Sequence, residues 1–184
     1  MIHAFGFPCG GGRGISLPLI GRMSSDGFPA CCSGAGRMSA RDDLLASLNE
    51  LLEAERAGAR VALDALKDAV SPEAEHLLRD VRADESRWCA RLSHHIARLE
   101  GQPSRQTGAF HGKAMAIADP VARLAFLNRG QAWVVRKLEA LMPGVADDDA
   151  LRGDLQAMWD SYRVNIGRTE DFLATLEQPA DQSK

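Results

Sequence analysis

The sequence has no apolar run that approaches the roughly 18 residues a helix needs to cross a bilayer, so we expect no membrane-spanning segment. The sequence also lacks an excess of basic residues. The 22 Lys and Arg residues stand against 25 Asp and Glu, which argues against nucleic acid as a partner. The chain has 184 residues, of which 45% are hydrophobic and 26% charged. This length and composition are typical of one soluble globular domain with a hydrophobic core.

Cysteine is scarce after residue 37. Three of the four cysteines, Cys9, Cys31 and Cys32, lie before that point without a CxxC pair or a histidine at zinc-finger spacing, which argues against a zinc knuckle. Cys89 is alone in the remainder, so the sequence predicts no disulfide framework and fits a reducing cytoplasm. No cation is obviously placed to stabilise its thiolate, and we expect a buried, inert thiol rather than a redox-active one.

Residues 1–37 differ in composition from the rest. They hold nine of the 17 glycines and three of the eight prolines, with Asp26 as their only acid. The run ISLPLI is too short and too interrupted by Pro18 for a secretory signal, and the glycines oppose the amphipathic helix of a transit peptide. We expect a flexible leader and interpret it as an over-extended gene start, with translation beginning at Met38 or Met23. The folded domain is expected over 38–178 and a disordered tail over 179–184.

Start and stop signals predict four long helices and no strand. Ser39 followed by Asp42 is a capping box, Pro72 and Pro120 each suit a first helical turn, and Gly101 is a stop signal. The predicted helices cover roughly 40–70, 72–100, 120–142 and 147–177.

The connections between these helices predict the topology. The first and second helices, and the third and fourth, are joined by short links that can only turn the chain back, so each pair is an antiparallel hairpin. Between the second and third lie about 18 residues, QPSRQTGAFHGKAMAIAD, which at roughly 3.3 Å per residue can run the length of the bundle. The sequence therefore predicts an all-α, up-down-down-up four-helix bundle with one long crossover.

A polar layer is predicted inside this bundle. Apolar residues recur at a spacing of three or four along each helix, as in Leu44, Leu48 and Leu52 of the first. Each stripe is interrupted near its middle by polar side chains. The interruptions are Glu55 on the first helix, Glu85 on the second, Gln131 on the third, and Tyr162 with Asn165 on the fourth.

This arrangement over residues 39–177 resembles the ferritin-like proteins, whose bundles place one glutamate on each of two helices and an E-x-x-H pair on each of the other two. More narrowly, LNELLEAERAGA, TGAFHGKAMAIAD, RLAFLNRGQAWVVRKL and SYRVNI resemble a bacterial ferritin-like domain family of unknown function. The resemblance implies a fold and no activity.

The chain departs from the ferritin-like ligand pattern. Aligned by stripe, Glu55 and Glu85 fall on two of the family's glutamates. The remaining ligand positions hold Trp88, Gln131, Tyr162 and Asn165. Two metal ions need around six carboxylate and imidazole ligands, and two carboxylates are too few. We therefore expect no cofactor; the alternative is iron or manganese held by Glu55 and Glu85.

A metal-free hydrogen-bonded layer is the preferred interpretation of these positions. The amides of Gln131 and Asn165, the Tyr162 hydroxyl and the Trp88 indole are all donors that could satisfy the two acids. Gly58 and Gly130 lie near the layer and would provide the volume that Trp88 needs. An acid/base pair formed by the two glutamates is a further alternative.

Further candidate residues lie outside this layer. His94 and His95 point about 100° apart on a helix, so we expect surface or edge packing rather than a shared ligand site. His111 and Lys113 lie in the crossover and form a candidate ligand site, because long loops often carry function. If Trp133 and Trp159 point outward, their apolar surface would favour a homodimer.

The sequence thus favours a cytoplasmic ferritin-like bundle that acts as a non-catalytic binding or interaction module. An oxidoreductase in which Glu55, Glu85 and a ligand such as Cys89 or His111 hold a metal is the competing hypothesis. A small-molecule pocket between the bundle and the crossover is a third.

Overall fold

The computed structural model describes residues 39–177; the predicted leader with Cys9, Cys31 and Cys32, and the predicted tail at 179–184, lie outside this range. Within it the helices are α1 (Ala40–Ala65), α2 (Pro72–Arg98), α3 (Phe110–Met115), α4 (Pro120–Leu141) and α5 (Asp149–Glu177), with no strand. The four long helices predicted from the sequence are confirmed. The short α3 lies in the crossover and was not predicted. No helix in this part of the chain combines the length and apolar content that a bilayer crossing requires.

The predicted helix starts are built as the capping signals indicate. The Ser39 hydroxyl accepts a hydrogen bond from the Asp42 N–H, while the Asp42 carboxylate accepts one from the Ser39 N–H, which completes a capping box. Ser71 and Asp119 likewise accept backbone N–H bonds at the starts of α2 and α4, each one residue before a proline. Local sequence therefore determines where these helices begin.

Two helix ends differ from the prediction. The helix α1 stops at Ala65 and tightens into a 3₁₀ turn over Leu66–Asp68, short of Val70. At the end of α2 it is Glu100, not Gly101, that adopts a positive φ of 57°. Gly101 has another role, because a Cβ there would lie 2.5 Å from Leu45 Cδ2 on α1. The absence of a side chain at Gly101 therefore permits the chain to approach α1 closely.

The helices form the up-down-down-up bundle that the connections predicted. The pairs α1/α2 and α4/α5 are antiparallel hairpins, α1 also packs against α4, and α2 packs against α5. Lys137 near the end of α4 forms an ion pair of 2.8 Å with Glu50 in the first half of α1, so these two helices are antiparallel as well. The crossover between α2 and α4 carries the chain back along the bundle.

The crossover is held against α1 at several levels. The Asn49 side chain donates to the Gln102 carbonyl and accepts from the Ser104 N–H, at 3.2 and 2.6 Å. Further along, the His111 ring lies 2.9 Å from an Asp64 carboxylate oxygen. These contacts follow α1 from its first half to its last turn, so the crossover lies beside that helix.

A buried arginine fixes the far end of the crossover. The Arg123 guanidinium donates to the carbonyls of Ile117 and Ala118 and makes two hydrogen bonds of 2.8 and 3.0 Å to Asp68. The residue is only 5% exposed. It therefore joins α4, the end of the crossover and the turn after α1, a role that sequence analysis did not identify.

The core consists of two apolar halves along the bundle axis. The first contains residues such as Leu48, Leu52, Leu92, Leu138, Leu155 and Met158. The second contains residues such as Val61, Ala62, Leu78, Val81, Leu127 and Phe172. On α1, Glu55 falls between the two halves and is itself 1% exposed. The middle of the bundle therefore contains a polar side chain that is as buried as the apolar residues on either side.

The role of Arg123 can be measured by equilibrium urea unfolding. We expect Arg123→Met to reduce the free energy of unfolding by about 1–2 kcal/mol, because it leaves the Ile117 and Ala118 carbonyls and the partly exposed Asp68 carboxylate without their donor. Arg136→Met, an exposed site on the same helix, is the matched control and should change stability by less than about 0.5 kcal/mol. Equal losses in the two variants would contradict the anchoring role.

Candidate functional site

Two buried carboxyl groups from α1 and α2 meet at the middle of the bundle. Glu55 and Glu85 are 1% and 3% exposed. The Glu85 carboxyl group packs directly on Gly58, where a Cβ would lie 2.5 Å from both of its oxygens. Since Gly58 follows Glu55 by less than one helical turn, both acids lie at the same depth. The structure thus brings these two predicted site residues together.

The two glycines near this layer make room for groups other than the one expected. The sequence suggested that Gly58 and Gly130 provide space for Trp88. In the structure Gly58 accommodates the Glu85 carboxyl group, and a Cβ on Gly130 would lie 2.5 Å from Cζ of Phe110 in the crossover. The atoms nearest to these two positions therefore belong to Glu85 and Phe110.

Only part of the expected hydrogen-bonded layer is formed. Tyr162 donates to Glu55 Oε2 at 2.5 Å. Glu55 Oε1 and Glu85 Oε2 accept no hydrogen bond from any residue in the described range, and the Trp88 indole N–H donates none. The Gln131 amide faces Glu85 closely enough to influence its ionisation, yet neither amide atom reaches hydrogen-bonding geometry.

Asn165, the remaining predicted member of the layer, points elsewhere. Its amide donates to Asp84 Oδ2 at 2.8 Å, and the same oxygen accepts from the Ser161 hydroxyl at 2.6 Å. Arg87 pairs with the other Asp84 oxygen at 2.9 Å. Asp84 is not among the site residues that the sequence predicted.

Burial controls the protonation of the two acids. Loss of solvation raises the pKa of Glu55 to about 8, against the opposing effect of the Tyr162 hydrogen bond. Burial, reinforced by the neighbouring Glu55 charge, raises the pKa of Glu85 well above its usual range. Burial also holds the pKa of Tyr162 well above normal, so the phenol keeps its proton and remains a donor. Near neutral pH the pair therefore retains protons.

Cys89, one turn after Glu85, is governed by the same environment. Partial burial, together with the neighbouring acids Glu55 and Glu85, raises the pKa of its thiol to about 12 against the opposing effect of Arg56. A thiol that keeps its proton at physiological pH is a weak nucleophile and a weak metal ligand. The geometry therefore offers no support for redox chemistry at this position.

A cavity of about 410 Å³ opens beside the two acids, between α1, α4 and residues 108–110 of the crossover. Its inner end is formed by Gly58, Glu85 and Gln131. One wall is aromatic: the Phe110 and Phe126 rings stack with their centroids 4.9 Å apart and an interplanar angle of 16°. The remaining lining residues are Glu50, Glu53, Ala54, Ala57, Gly108, Ala109, Leu127, Arg129, Gly130, Trp133 and Val134. It is a mostly apolar pocket with a polar inner end.

The structure does not bring His111 and Lys113 to this cavity. The His111 ring instead faces Asp64, and Lys113 is exposed to solvent. Asp64 follows Glu55 by nine residues on α1, or about 13 Å along the helix axis. His111 is therefore too distant to share a metal ion with the buried glutamates.

The adjacent histidines differ in burial, although their rings meet edge to face with centroids 5.6 Å apart. His95 is 3% exposed and its Nε2 lies 2.8 Å from Asp154 Oδ2 on α5, whereas His94 is exposed. Of the two tryptophans, Trp133 lines the cavity and Trp159 donates from its indole N–H to Glu139 at 3.0 Å. Each makes contacts within its own chain.

The donor set at the layer does not fit a pair of iron or manganese ions. It consists of two carboxyl groups, one phenol and one amide, with an indole N–H that cannot act as a ligand. Such centres draw on around six carboxylate and imidazole ligands. Across residues 39–177 no group of three or more His, Cys, Asp or Glu side chains is arranged to hold a metal ion.

The helix order, the long crossover and the paired internal glutamates define a ferritin-like helical bundle. A crystal structure of a ferritin-like, diiron-carboxylate protein from Bacillus anthracis str. Ames matches with a TM-score of 0.66 and 16% identity, covering 74% of this chain and 99% of that one. This likeness shows the fold alone. The chain belongs to the family described as a domain of unknown function (DUF6306), whose model matches residues 42–171. No curated protein matches the sequence. The resemblance inferred from the sequence is confirmed.

The contact between Gly58 and Glu85 generates a stability prediction. Gly→Ala within a helix normally stabilises by roughly 0.5–1 kcal/mol. We expect Gly58→Ala to destabilise instead, by about 2 kcal/mol, because the new methyl group displaces a buried carboxyl group. Gly153→Ala on α5, where an added Cβ meets no atom within 4 Å, is the control and should stabilise. Urea unfolding of both variants gives the comparison, and two changes of the same sign would refute it.

The raised pKa of Glu55 predicts that stability falls as pH rises. The folded protein binds the proton more tightly than the unfolded chain, so the contribution is fully present below about pH 4.5 and lost as pH rises towards about 8. Glu55→Gln keeps an oxygen acceptor for Tyr162 and should flatten this dependence. Glu170→Gln, an exposed site on α5, should leave it unchanged. Urea unfolding between pH 5 and 9 measures both, and identical profiles for wild type and Glu55→Gln would disprove the assignment.

Proposed function

We propose that this protein is a non-catalytic small-molecule binding module whose ligand occupies the cavity between α1, α4 and the crossover. One observation carries the proposal. The cavity of about 410 Å³ has apolar walls and ends at buried polar groups, Glu85 and Gln131, whose atoms lack partners among the described residues. Its size falls in the range of roughly 300–1,000 Å³ typical of ligand sites.

The division of roles within the cavity supports this proposal. Phe110, Phe126 and Leu127 supply apolar surface, which provides most of the affinity in small-molecule sites. The Glu85 and Gln131 side chains supply a small number of polar contacts that would orient a ligand. An unsatisfied buried polar atom costs roughly 1–3 kcal/mol, so a ligand that pairs with these groups recovers this free energy.

The crossover forms one wall of the cavity through contacts with α1 and α4. Phe110 fits over Gly130 of α4 and stacks on Phe126, while Ser104 hydrogen-bonds to Glu53 of α1. The proposed site is therefore built where the long connection covers the bundle. This supports the third hypothesis drawn from the sequence, with Phe110 in the place assigned to His111 and Lys113.

The competing function is an oxidoreductase with an atypical metal site at Glu55 and Glu85. The likeness to a diiron-carboxylate protein and the free oxygens Glu55 Oε1 and Glu85 Oε2 favour it. The ligand count opposes it, because two carboxyl groups and a phenol leave most positions around a metal unfilled.

The proposal includes a cytoplasmic location and a homodimer. A reducing cytoplasm is supported by the lone thiol of Cys89 in the described range. A homodimer is supported by Trp133 and Trp159, which are only partly buried against the core of their own chain.

Ligand binding can be tested with indole and 2-phenylethanol as probes. We expect either compound to raise the thermal unfolding temperature of the wild type in a concentration-dependent way. Ala54→Phe places a ring in the cavity and should abolish this shift. Ala46→Phe introduces the same ring at an exposed site on α1 and should retain it. A shift that survives Ala54→Phe would place binding elsewhere.

Metal content separates the two functions. Purified protein incubated with Fe²⁺ or Mn²⁺ and then desalted should retain well below one equivalent, because the donor set is too small. Elemental analysis of the wild type and of the Glu55→Ala, Glu85→Ala variant measures this. Near-stoichiometric metal in the wild type that disappears in the double variant would instead establish the oxidoreductase alternative.

A further inference from the structure

The inner end of the cavity is lined by buried polar side chains without partners. Glu85 Oε2, Gln131 Oε1 and Gln131 Nε2, which carries two N–H donors, are buried and lack partners among the described residues. Both residues are at least nine-tenths buried, at 3% and 2% exposed. A cationic ligand group that donates several hydrogen bonds would favour the ionised form of Glu85, which only accepts hydrogen bonds.

Two acids lie next to Glu85. Glu55 faces it from α1 and keeps its proton near neutral pH, and Asp84 lies beside it on α2 and is paired with Arg87. The Tyr162 phenol from α5 and the Gln131 amide from α4 are neutral. Neither Glu55 nor Glu85 forms an ion pair with any residue between 39 and 177. A positive group on the ligand would meet an acidic environment without a competing protein cation in direct contact.

The walls and mouth of the cavity agree with this charge. Three acids, Glu50, Glu53 and Glu85, line it against one base, Arg129; Glu50 is paired with Lys137, whose ammonium group also lies 5.1 Å from the centroid of the Trp133 ring. Phe110, Phe126 and Trp133 present aromatic rings, whose faces attract cations as well as apolar groups. The Arg129 guanidinium already lies 5.5 Å from the centroid of the Phe126 ring, which illustrates this attraction at the mouth.

We propose that the cavity binds a primary amine with a compact aromatic or branched apolar body, its ammonium group donating to Glu85 and Gln131. This inference rests on the proposed function and specifies its ligand class. An ammonium group has three N–H donors, enough for both free acceptors, and its charge permits the buried Glu85 to ionise. A carboxylate or phosphate would add negative charge beside two acids, and an alcohol offers one donor only.

Three probes of the same shape test the inference: 2-phenylethylamine, 2-phenylethanol and phenylacetate, titrated calorimetrically near neutral pH. The wild type should bind the amine about tenfold or more tightly than the alcohol, since a hydrogen bond to a charged group contributes more than a neutral one. Phenylacetate should bind most weakly.

Two variants locate the preference at the inner end. Glu85→Gln should bind the amine and the alcohol within about threefold of each other while keeping the wild-type affinity for the alcohol, which shows that the pocket is intact. Glu50→Gln removes an equal charge at the mouth and should keep the amine preference. Gln131→Met removes the second acceptor and should lower amine affinity, which provides an independent test.

The outcomes distinguish this inference from the proposed function. If the alcohol binds the wild type as tightly as the amine, or if Glu85→Gln keeps the amine preference, the ligand class is wrong and the binding module stands. If none of the three probes binds and none shifts the unfolding temperature, the cavity is not a ligand site of this kind and both proposals fail.

Discussion

The structure depends on two carboxyl groups held inside an apolar bundle. Glu55 and Glu85 lie between two hydrophobic halves of the core, and burial raises the pKa of both. Isolated charges at this depth would be strongly unfavourable, so the acids keep protons and one accepts a hydrogen bond from Tyr162. Every other feature of the bundle centre follows from accommodating these groups: a glycine on α1, a partly satisfied layer, and a cavity beside it.

Glycines in α1 and α4 connect this layer to the crossover. Gly58 gives the Glu85 carboxyl group its place, and Gly130 lets the Phe110 ring lie against α4. Each glycine lowers helix propensity by roughly 1 kcal/mol, so both positions are explained by close approach rather than by helix stability. The long connection thereby becomes one wall of a pocket whose inner end is acidic.

The relation to ferritin-like proteins is one of architecture. The same helix order and crossover can carry a two-metal centre, yet here the buried layer holds a phenol, an amide and an indole beside its two carboxyl groups. The fold therefore does not determine the function, because the side chains in the buried middle layer of the bundle decide what it can bind.

The sequence by itself determined the helices, their starts and the topology, because capping, prolines and apolar spacing act over a few residues and short links allow only antiparallel pairs. It also identified Glu55, Glu85, Gln131 and Tyr162 as interruptions of apolar stripes. Only the tertiary structure decided that Asn165 turns to Asp84, that Arg123 joins three segments and that Phe110 closes a cavity. Those outcomes depend on side-chain direction and on contacts between residues tens of positions apart, which periodicity along one chain does not encode.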